Sequence, residues 1–416
     1  MSAAGDGISA CRFCGAPLSL SLVDLGRQPL ANSYLPADAG PDEPTYPLHV
    51  RVCRSCRLVQ AGNVVPAEHI FAADYAYFSS TAASWVAHAA RYARAMTTRF
   101  GLGPASRVIE VASNDGYLLQ HFAAAGIPVL GIEPARGVAE AAIARGVPTE
   151  IAFFGRASAT RLAAQGIAAD LMAANNVLAH VPDINDFVAG FALLLKPQGV
   201  LTVENPHLLN LLSECQFDTI YHEHYSYLSL LAVERIMAAH GLRVFDVEEL
   251  PTHGGSLRYF IARADADFAT GAGLARVRAA EAAAGLDGDA AYAGFAPRVR
   301  AICAGLNAWL DQQLAAGRTV AAYGAAAKGN TLLNAAGVRA ADHRIAFACD
   351  KAPSKQGRLL PGSRIPILAP AAIAERRPDR VLILPWNLRA EIAADLGGIR
   401  DWGGRFAVAV PRMEEW

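Results

Sequence analysis

RVIEVASNDGYLL, Arg107 to Leu119, holds a change of character that decides the fold. An apolar, strand-like run from Val108 to Val111 stops abruptly in Ala-Ser-Asn-Asp-Gly, and helix-compatible residues follow from Tyr117 to Ala125. A strand feeding a small-residue turn and then a helix opens a nucleotide-binding α/β unit, because backbone N–H groups in the turn and at the helix start can approach a ligand closely. The next strand-like run, Val129 to Ile132, ends at Glu133, 18 residues after Asp115. That spacing is near the ~20 residues at which a ribose-binding acid is expected. The turn has only Gly116 and lacks G-x-G-x-x-G, so it is not a dinucleotide fingerprint.

Outward from that turn, strand and helix patterns alternate from Arg107 to about Ala262. Strand-like runs cover 107–112, 128–132, 170–174 and 199–204, and helical runs cover 117–125, 135–145 and 186–195. This alternation predicts a parallel, doubly wound sheet. Arg243 to Glu249 and Ser256 to Ala262, parted by a turn containing PTHGG, predict an antiparallel hairpin ending it. Asn175 and Asn176 supply polar groups at a strand's carboxyl end, where open α/β sheets bind ligands. His180 follows Asn176 closely; taken alone it reads as a structural histidine. Phe153 and Phe154 either flank a purine ring or pack in the core, the commoner fate of two adjacent phenylalanines. The pattern acid-x-x-x-Asn-Asp-Gly, with Glu110 ahead of Asn114, Asp115 and Gly116, resembles motif I of the S-adenosylmethionine-dependent methyltransferases. Many members of that family carry glycines where this chain has Ala112 and Asn114.

Bulk composition narrows the classes. A chain of 416 residues suggests two or three domains, and 53% apolar residues allow a sizeable core. A net charge of −1 argues against a nucleic-acid protein that relies on a broad basic field. The start, MSAAGDGISACRFCG, shows no secretory signal, and no run approaches the ~18 apolar residues of a membrane span. A cytoplasmic protein with no membrane partner is expected.

Cys11-Arg-Phe-Cys14 and Cys53-Arg-Ser-Cys56 are two C-x-x-C knuckles. Four thiolates complete a tetrahedral zinc site. The 38 residues between the knuckles leave room for a small β-rich insert, and Arg51, Arg54 and Arg57 can offset thiolate charge. Redox pairing and unrelated free cysteines are the competing readings.

Toward the other end, residues 265–316 are alanine-rich and helical, a connection between two lobes. A second α/β unit follows, with strands at Arg318 to Tyr323, Ile345 to Cys349, Val381 to Leu384 and Phe406 to Val410. Its first turn, Gly324-Ala-Ala-Ala-Lys328-Gly329-Asn330, resembles a phosphate cradle but is no Walker motif. Lys328, Lys355 and Arg358 suit a diphosphate.

Between the fourth strand and the hairpin lies Tyr221-His222-Glu223-His224-Tyr225-Ser226-Tyr227. If extended, His222 and His224 face one way; if helical, they spread around the axis. Such a density of polar aromatics in an apolar neighbourhood is costly unless it is hydrogen-bonded. His-x-His can chelate, but no clear third ligand lies nearby.

The double knuckle, E-x-x-S-N-D-G, N-N-V-x-A-H, Y-H-E-H-Y-S-Y, H-G-G-S-x-R and Y-G-A-A-A-K-G-N occur in this order. Together they resemble the sugar C-methyltransferases acting on nucleotide-linked ketodeoxysugars, over nearly the whole chain. The resemblance implies an α/β fold: an S-adenosylmethionine-methyltransferase Rossmann-like domain (73–264), an N-terminal zinc-binding domain (1–72), and a helical linker with a C-terminal Rossmann-like domain that binds the nucleotide sugar (265–416). It implies His224 as base, with Glu223, Tyr221, Tyr75 and His180 around the sugar and His222 and Asn330 among the substrate-binding residues. It places S-adenosylmethionine against Asn114, Asp115, Gly116 and Glu133, and methylation at C-3 beside a 4-keto group. The chemistry suits the residue types: a neutral histidine can remove a proton next to a ketone near pH 7, and tyrosine hydroxyls can stabilise the enolate. No metal is needed in that step, so the zinc is expected to be structural. A zinc-ribbon nucleotide-binding scaffold without turnover is the competing class. A nicotinamide oxidoreductase is disfavoured by the missing G-x-G-x-x-G.

Overall fold

The structure, a computed structural model, describes residues 8–62, 65, 78–81 and 83–416. Its centre is a seven-stranded sheet in the order 242–250, 256–263, 195–206, 169–175, 108–111, 129–132, 149–150. The strands from 149–150 across to 195–206 pair in parallel, and the last two are antiparallel. Every residue of Val108–Val111 is buried, as expected where helices cover both faces of a parallel sheet. The register sets Val111 beside Ile132 and Asn175 beside Glu204, so the carboxyl ends of four strands form one edge. The hairpin closes the sheet as the sequence predicts, and strand Leu195–Pro206 is longer than its apolar run.

A small antiparallel sheet holds the N-terminal region, in the order 20–28, 46–52, 59–61, 226–227. Its fourth strand is Ser226–Tyr227, from the polar aromatic stretch, with Ser226 opposite Gln60 and Tyr227 opposite Val59. The third sheet runs 367–368, 347–349, 320–323, 380–383, 405–408, 414–415, parallel except for its last pair.

The alanine-rich region is more than a connection. Helix Ala272–Ala283 buries Leu274 and Val277 in the same core as Val247 and Leu257 of the hairpin. Helix Phe295–Ala315 buries Val299, Leu306 and Leu310 in a different core. That second core also takes in Leu22 and Val50 of the N-terminal sheet and Val320 and Leu382 of the C-terminal sheet. The knuckles pack the other way: Cys11, Cys53 and Cys56 share a core with Phe187 and Phe191 of helix Ile184–Leu194. The N-terminal region is therefore wedged between the two α/β lobes, and each neighbour buries one of its sides. Among the described residues, no helix is long and apolar enough to cross a membrane.

Candidate active site

The turn after Val108–Val111 takes left-handed backbone at Ala112, Asn114 and Gly116, with φ of 56°, 49° and 78°. This curls the chain so that its N–H groups point inward. The Asn114 N–H donates to Glu133 Oε2 at 3.0 Å and the Ala135 N–H to Oε1 at 2.9 Å. The acid at the end of the next strand is thereby locked to the turn. Burial raises its carboxyl above the ordinary range, and the two N–H bonds oppose the rise. Asn114 Oδ1 accepts from the Ser79 N–H at 2.8 Å. Asp115 is fully buried, accepting from Arg145 at 2.8 Å and from the Ser80 hydroxyl.

Glu110 lies beneath the turn, where burial pushes its carboxyl well above the usual range against a hydrogen bond from Tyr117. Glu110 Oε2, Asp115 Oδ1 and Asn175 Oδ1 are buried with no hydrogen-bond partner among the described residues. Each carboxylate oxygen of Glu133 keeps a further lone pair beyond the N–H it holds. Unmet acceptors at one sheet edge fit a ligand rich in hydroxyl and amino donors, such as S-adenosylmethionine. Of the two phenylalanines, Phe153 is 51% exposed, whereas Phe154 packs 5.0 Å from the Phe191 ring in the core. Asn176 has φ of 54° and its N–H donates to Glu204 O at 2.6 Å.

Tyr221 to His224 form a turn, neither extended nor helical. The His224 N–H donates to Tyr221 O at 2.9 Å, and the next N–H, of Tyr225, to Ala179 O at 2.8 Å. The alternation that an extended chain would give is lost. His222 is buried against Tyr46, its Nε2 3.3 Å from Tyr46 O. His224 faces Tyr221 and His180, with ring centroids at 4.0 and 4.7 Å. Glu223 is buried and accepts from Asn32 Nδ2 at 2.6 Å.

The His224 Nδ1–H donates to Thr219 O at 2.7 Å, which leaves the Nε2 lone pair as the acceptor. Loss of water around the ring, and then the neighbouring His180, hold its conjugate acid well below the ordinary 6.5. The same desolvation lowers His180 to about 4. Both rings are neutral at neutral pH.

One residue before Thr219, Asp218 is fully buried and accepts from Trp386 Nε1 at 2.8 Å; burial pushes its carboxyl up to about 6. Lys328 lies over the Trp386 ring at 5.1 Å and donates to Asn387 at 2.7 Å. Burial lowers its ammonium pKa, and Asp218 opposes that. The geometry therefore sets Lys328 with the His224 group.

Lys355 meets the turn just ahead of Lys328. It donates to Ala325 O at 2.8 Å, 3.5 Å from an Asp350 oxygen and 5.2 Å over the Tyr34 ring. Arg358 is exposed and reaches Tyr34 O at 3.3 Å. Asn330 is buried in helix Ala327–Ala335, its amide donating to Ala31 O at 2.6 Å. Tyr75 lies outside the described residues.

Several participants carried no role in the sequence reading. Asn32, Thr219, Asp218 and Trp386 are single residues without a motif. His253 and Arg258 belong to H-G-G-S-x-R; the His253 ring meets Trp85 edge-on at 5.4 Å, and Arg258 pairs with the fully buried Glu204. Glu204 accepts from Arg258 at 3.0 Å, His88 at 3.3 Å and Thr252 at 3.3 Å. Burial alone would raise this carboxyl, but the His88 hydrogen bond and the Arg258 charge hold it below the usual range.

The four knuckle sulfurs lie within 4.8 Å of one another, with Cys11–Cys56 and Cys14–Cys53 both at 3.5 Å. A tetrahedral zinc with Zn–S of ~2.3 Å puts its sulfurs about 3.8 Å apart, so the set fits that ion. Four protein ligands leave no open position, the mark of a structural site. Gln60 donates to Cys11 Sγ at 3.1 Å and accepts from the Arg12 N–H at 2.9 Å, bracing the first knuckle. Two arginines expected to balance thiolate charge have another partner: Arg54 and Arg57 each reach Asp289 at 2.7 Å.

Three stretches match described domains: residues 11–71 a zinc binding domain, 85–247 a methyltransferase domain, and 251–411 a C-methyltransferase C-terminal domain. The C-methyltransferase NovU of Streptomyces niveus is 39% identical over 406 residues, 97% of this chain and 96% of that protein. Among solved structures, the magnesium protoporphyrin IX methyltransferase of Synechocystis PCC 6803 aligns with 43% of this chain and 83% of its own, at 14% identity and a TM-score of 0.34. A methyltransferase from Thermotoga maritima aligns with 48% of this chain and 100% of its own, at 16% identity and a TM-score of 0.34.

Proposed function

We propose, from the premise that the chain belongs to the C-methyltransferase family and is an S-adenosylmethionine-dependent enzyme, that it methylates C-3 of a nucleotide-linked 4-keto-deoxysugar. A scaffold without turnover is set aside by that kinship. The observation that carries the proposal is the state of His224: Nδ1–H tied to Thr219 O, Nε2 left as a lone pair, and the ring neutral. A neutral histidine with a free Nε2 lone pair can act as a general base, and the weakly acidic proton beside a ketone becomes removable when donors stabilise the enolate oxygen.

In this reading His224 Nε2 takes the C-3 proton, and the electron pair left behind spreads onto the 4-keto oxygen. Tyr221, at 4.0 Å between ring centroids, and His180, at 4.7 Å, flank the base, and the Tyr221 hydroxyl is the donor for that oxygen. S-adenosylmethionine supplies an electrophilic methyl on a sulfonium, held by the turn at Asn114 to Gly116 and by Glu133. Residues 73–264 are assigned to that cofactor and 265–416 to the nucleotide, with Lys355 and Arg358 toward the diphosphate. Lys355→Ala should then raise KM for the sugar nucleotide. The zinc-binding segment is assigned to residues 1–72.

The test is turnover of a panel of nucleoside diphosphate 4-keto-deoxyhexoses followed by mass spectrometry. His224→Asn should lose about 10²–10⁴-fold in rate with cofactor binding intact. In deuterated water, with sugar and an unreactive donor analogue, the wild type should exchange the C-3 proton and the variant should not. Exchange by the variant at the wild-type rate would place the base elsewhere.

A further inference from the structure

Glu223 is gripped by a segment 191 residues away in the chain. The loop between strands 20–28 and 46–52 reaches across to the second α/β lobe, where several separate bonds pin it. Ala31 O accepts from Asn330 at 2.6 Å, and the Tyr34 hydroxyl donates to Ala325 O at 2.5 Å. Leu35–Pro36 pairs antiparallel with Arg358–Leu359, and the Gly362 N–H donates to both Glu43 oxygens at 3.1 and 3.0 Å. Asn32 sits in the middle of this arm, open to solvent, with its amide on Glu223. The other side of the turn is held by the same region, through His222 to Tyr46 O at 3.3 Å and through the Ser226–Tyr227 strand.

The chemistry of the contact is specific. An amide N–H can donate only to an oxygen with a lone pair to offer. With Asn32 on Oε1, a proton carried by Glu223 is favoured on Oε2, because a carbonyl oxygen accepts the amide N–H better than a hydroxyl oxygen does. Among the described residues no hydrogen bond reaches Oε2. The carboxyl group thus has one oxygen fixed and one presented.

We propose that Asn32 is a positioning residue of the active site, fixing the Glu223 carboxyl so that Oε2 is the oxygen offered to the substrate. This rests on the reading that Glu223 works beside His224. A bond from a neutral amide to a carboxylate favours the ionised form, while burial favours the neutral one. Asn32 therefore also sets the pH at which Glu223 changes charge.

The experiment is infrared difference spectroscopy of the full-length, zinc-loaded protein, wild type minus Glu223→Gln, following the protonated carboxyl band against pH. Rate–pH profiles are recorded in parallel with the panel member that turns over. Asn32→Ala should move the midpoint up by about one unit, and Asn32→Asp, which sets a second carboxyl against the first, by more. The rate limb governed by Glu223 should move up with it. Glu43→Gln, which loosens the arm at Gly362 without touching Glu223, should leave the midpoint in place. A midpoint unmoved in both Asn32 variants, or moved equally by Glu43→Gln, overturns the proposal. If Glu223→Gln itself leaves rate and profile unchanged, the reading of Glu223 fails instead, and the two failures are told apart.

Discussion

Ala112 occupies left-handed backbone without being glycine, and replacing it tests how the cofactor turn is built. Its φ of 56° forces Cβ toward the following carbonyl, at a cost of about 1–2 kcal/mol. Ala112→Gly removes that cost. Against the gain stand the greater freedom of glycine in the unfolded chain, about 0.4–1 kcal/mol, and a half-buried methyl worth about 0.4 kcal/mol. The net expectation is a stabilisation of about 0.5 kcal/mol, or roughly 1–2 °C in Tm on the scale of about 2–4 °C per kcal/mol. Asn114, at φ of 49°, should behave oppositely. Asparagine tolerates this conformation, and its Oδ1 accepts the Ser79 N–H at 2.8 Å. Asn114→Gly loses that bond and should cost about 1 kcal/mol. Differential scanning calorimetry of the two variants, with Ala123→Gly in helix Leu119–Ala124 as the ordinary helix penalty, measures the contrast. A Tm drop for Ala112→Gly as large as that of Ala123→Gly would refute the idea that the turn stores strain at position 112.

Purified protein should hold one zinc per chain, and Cys53→Ser should release most of it and lower Tm; full retention of zinc would count against the four-thiolate site. Glu133→Ala should weaken S-adenosylmethionine binding by at least tenfold in titration calorimetry, because the turn loses the anchor of its Asn114 N–H; unchanged affinity would remove Glu133 from the cofactor site. Stability should fall as pH drops from about 6.5 toward 4: His180 and His224 stay neutral when folded but take up protons near 6.5 once unfolded, so the unfolded state binds more protons in that window. Melts recorded from pH 7.5 to 5 check this, and His180→Asn should flatten the slope; an unaltered slope would mean that His180 titrates normally in the folded chain.

The doubly wound sheet, the closing hairpin and the second α/β unit were legible because periodicity and turn chemistry are local properties. The same holds for the knuckles, where two cysteines three apart must share a neighbourhood wherever the chain goes. Within Tyr221 to Tyr227 the residue types announced chemistry, but their directions were not readable. A turn closed by the bond from the His224 N–H to Tyr221 O sends His222 to Tyr46 and His224 to His180, and no pattern of period 2 or 3.6 encodes that. The tertiary fold alone decided which groups complete the cluster. Thr219 O fixes the His224 tautomer, Trp386 holds Asp218, and Asn32 meets Glu223 across 191 residues. Pairings as short as Ser226–Tyr227 on Val59–Gln60 and Leu35–Pro36 on Arg358–Leu359 leave no signature in composition. They exist because the N-terminal sheet shares one core with the C-terminal lobe while the knuckles share another with the central sheet, and that packing brings distant side chains within hydrogen-bond reach.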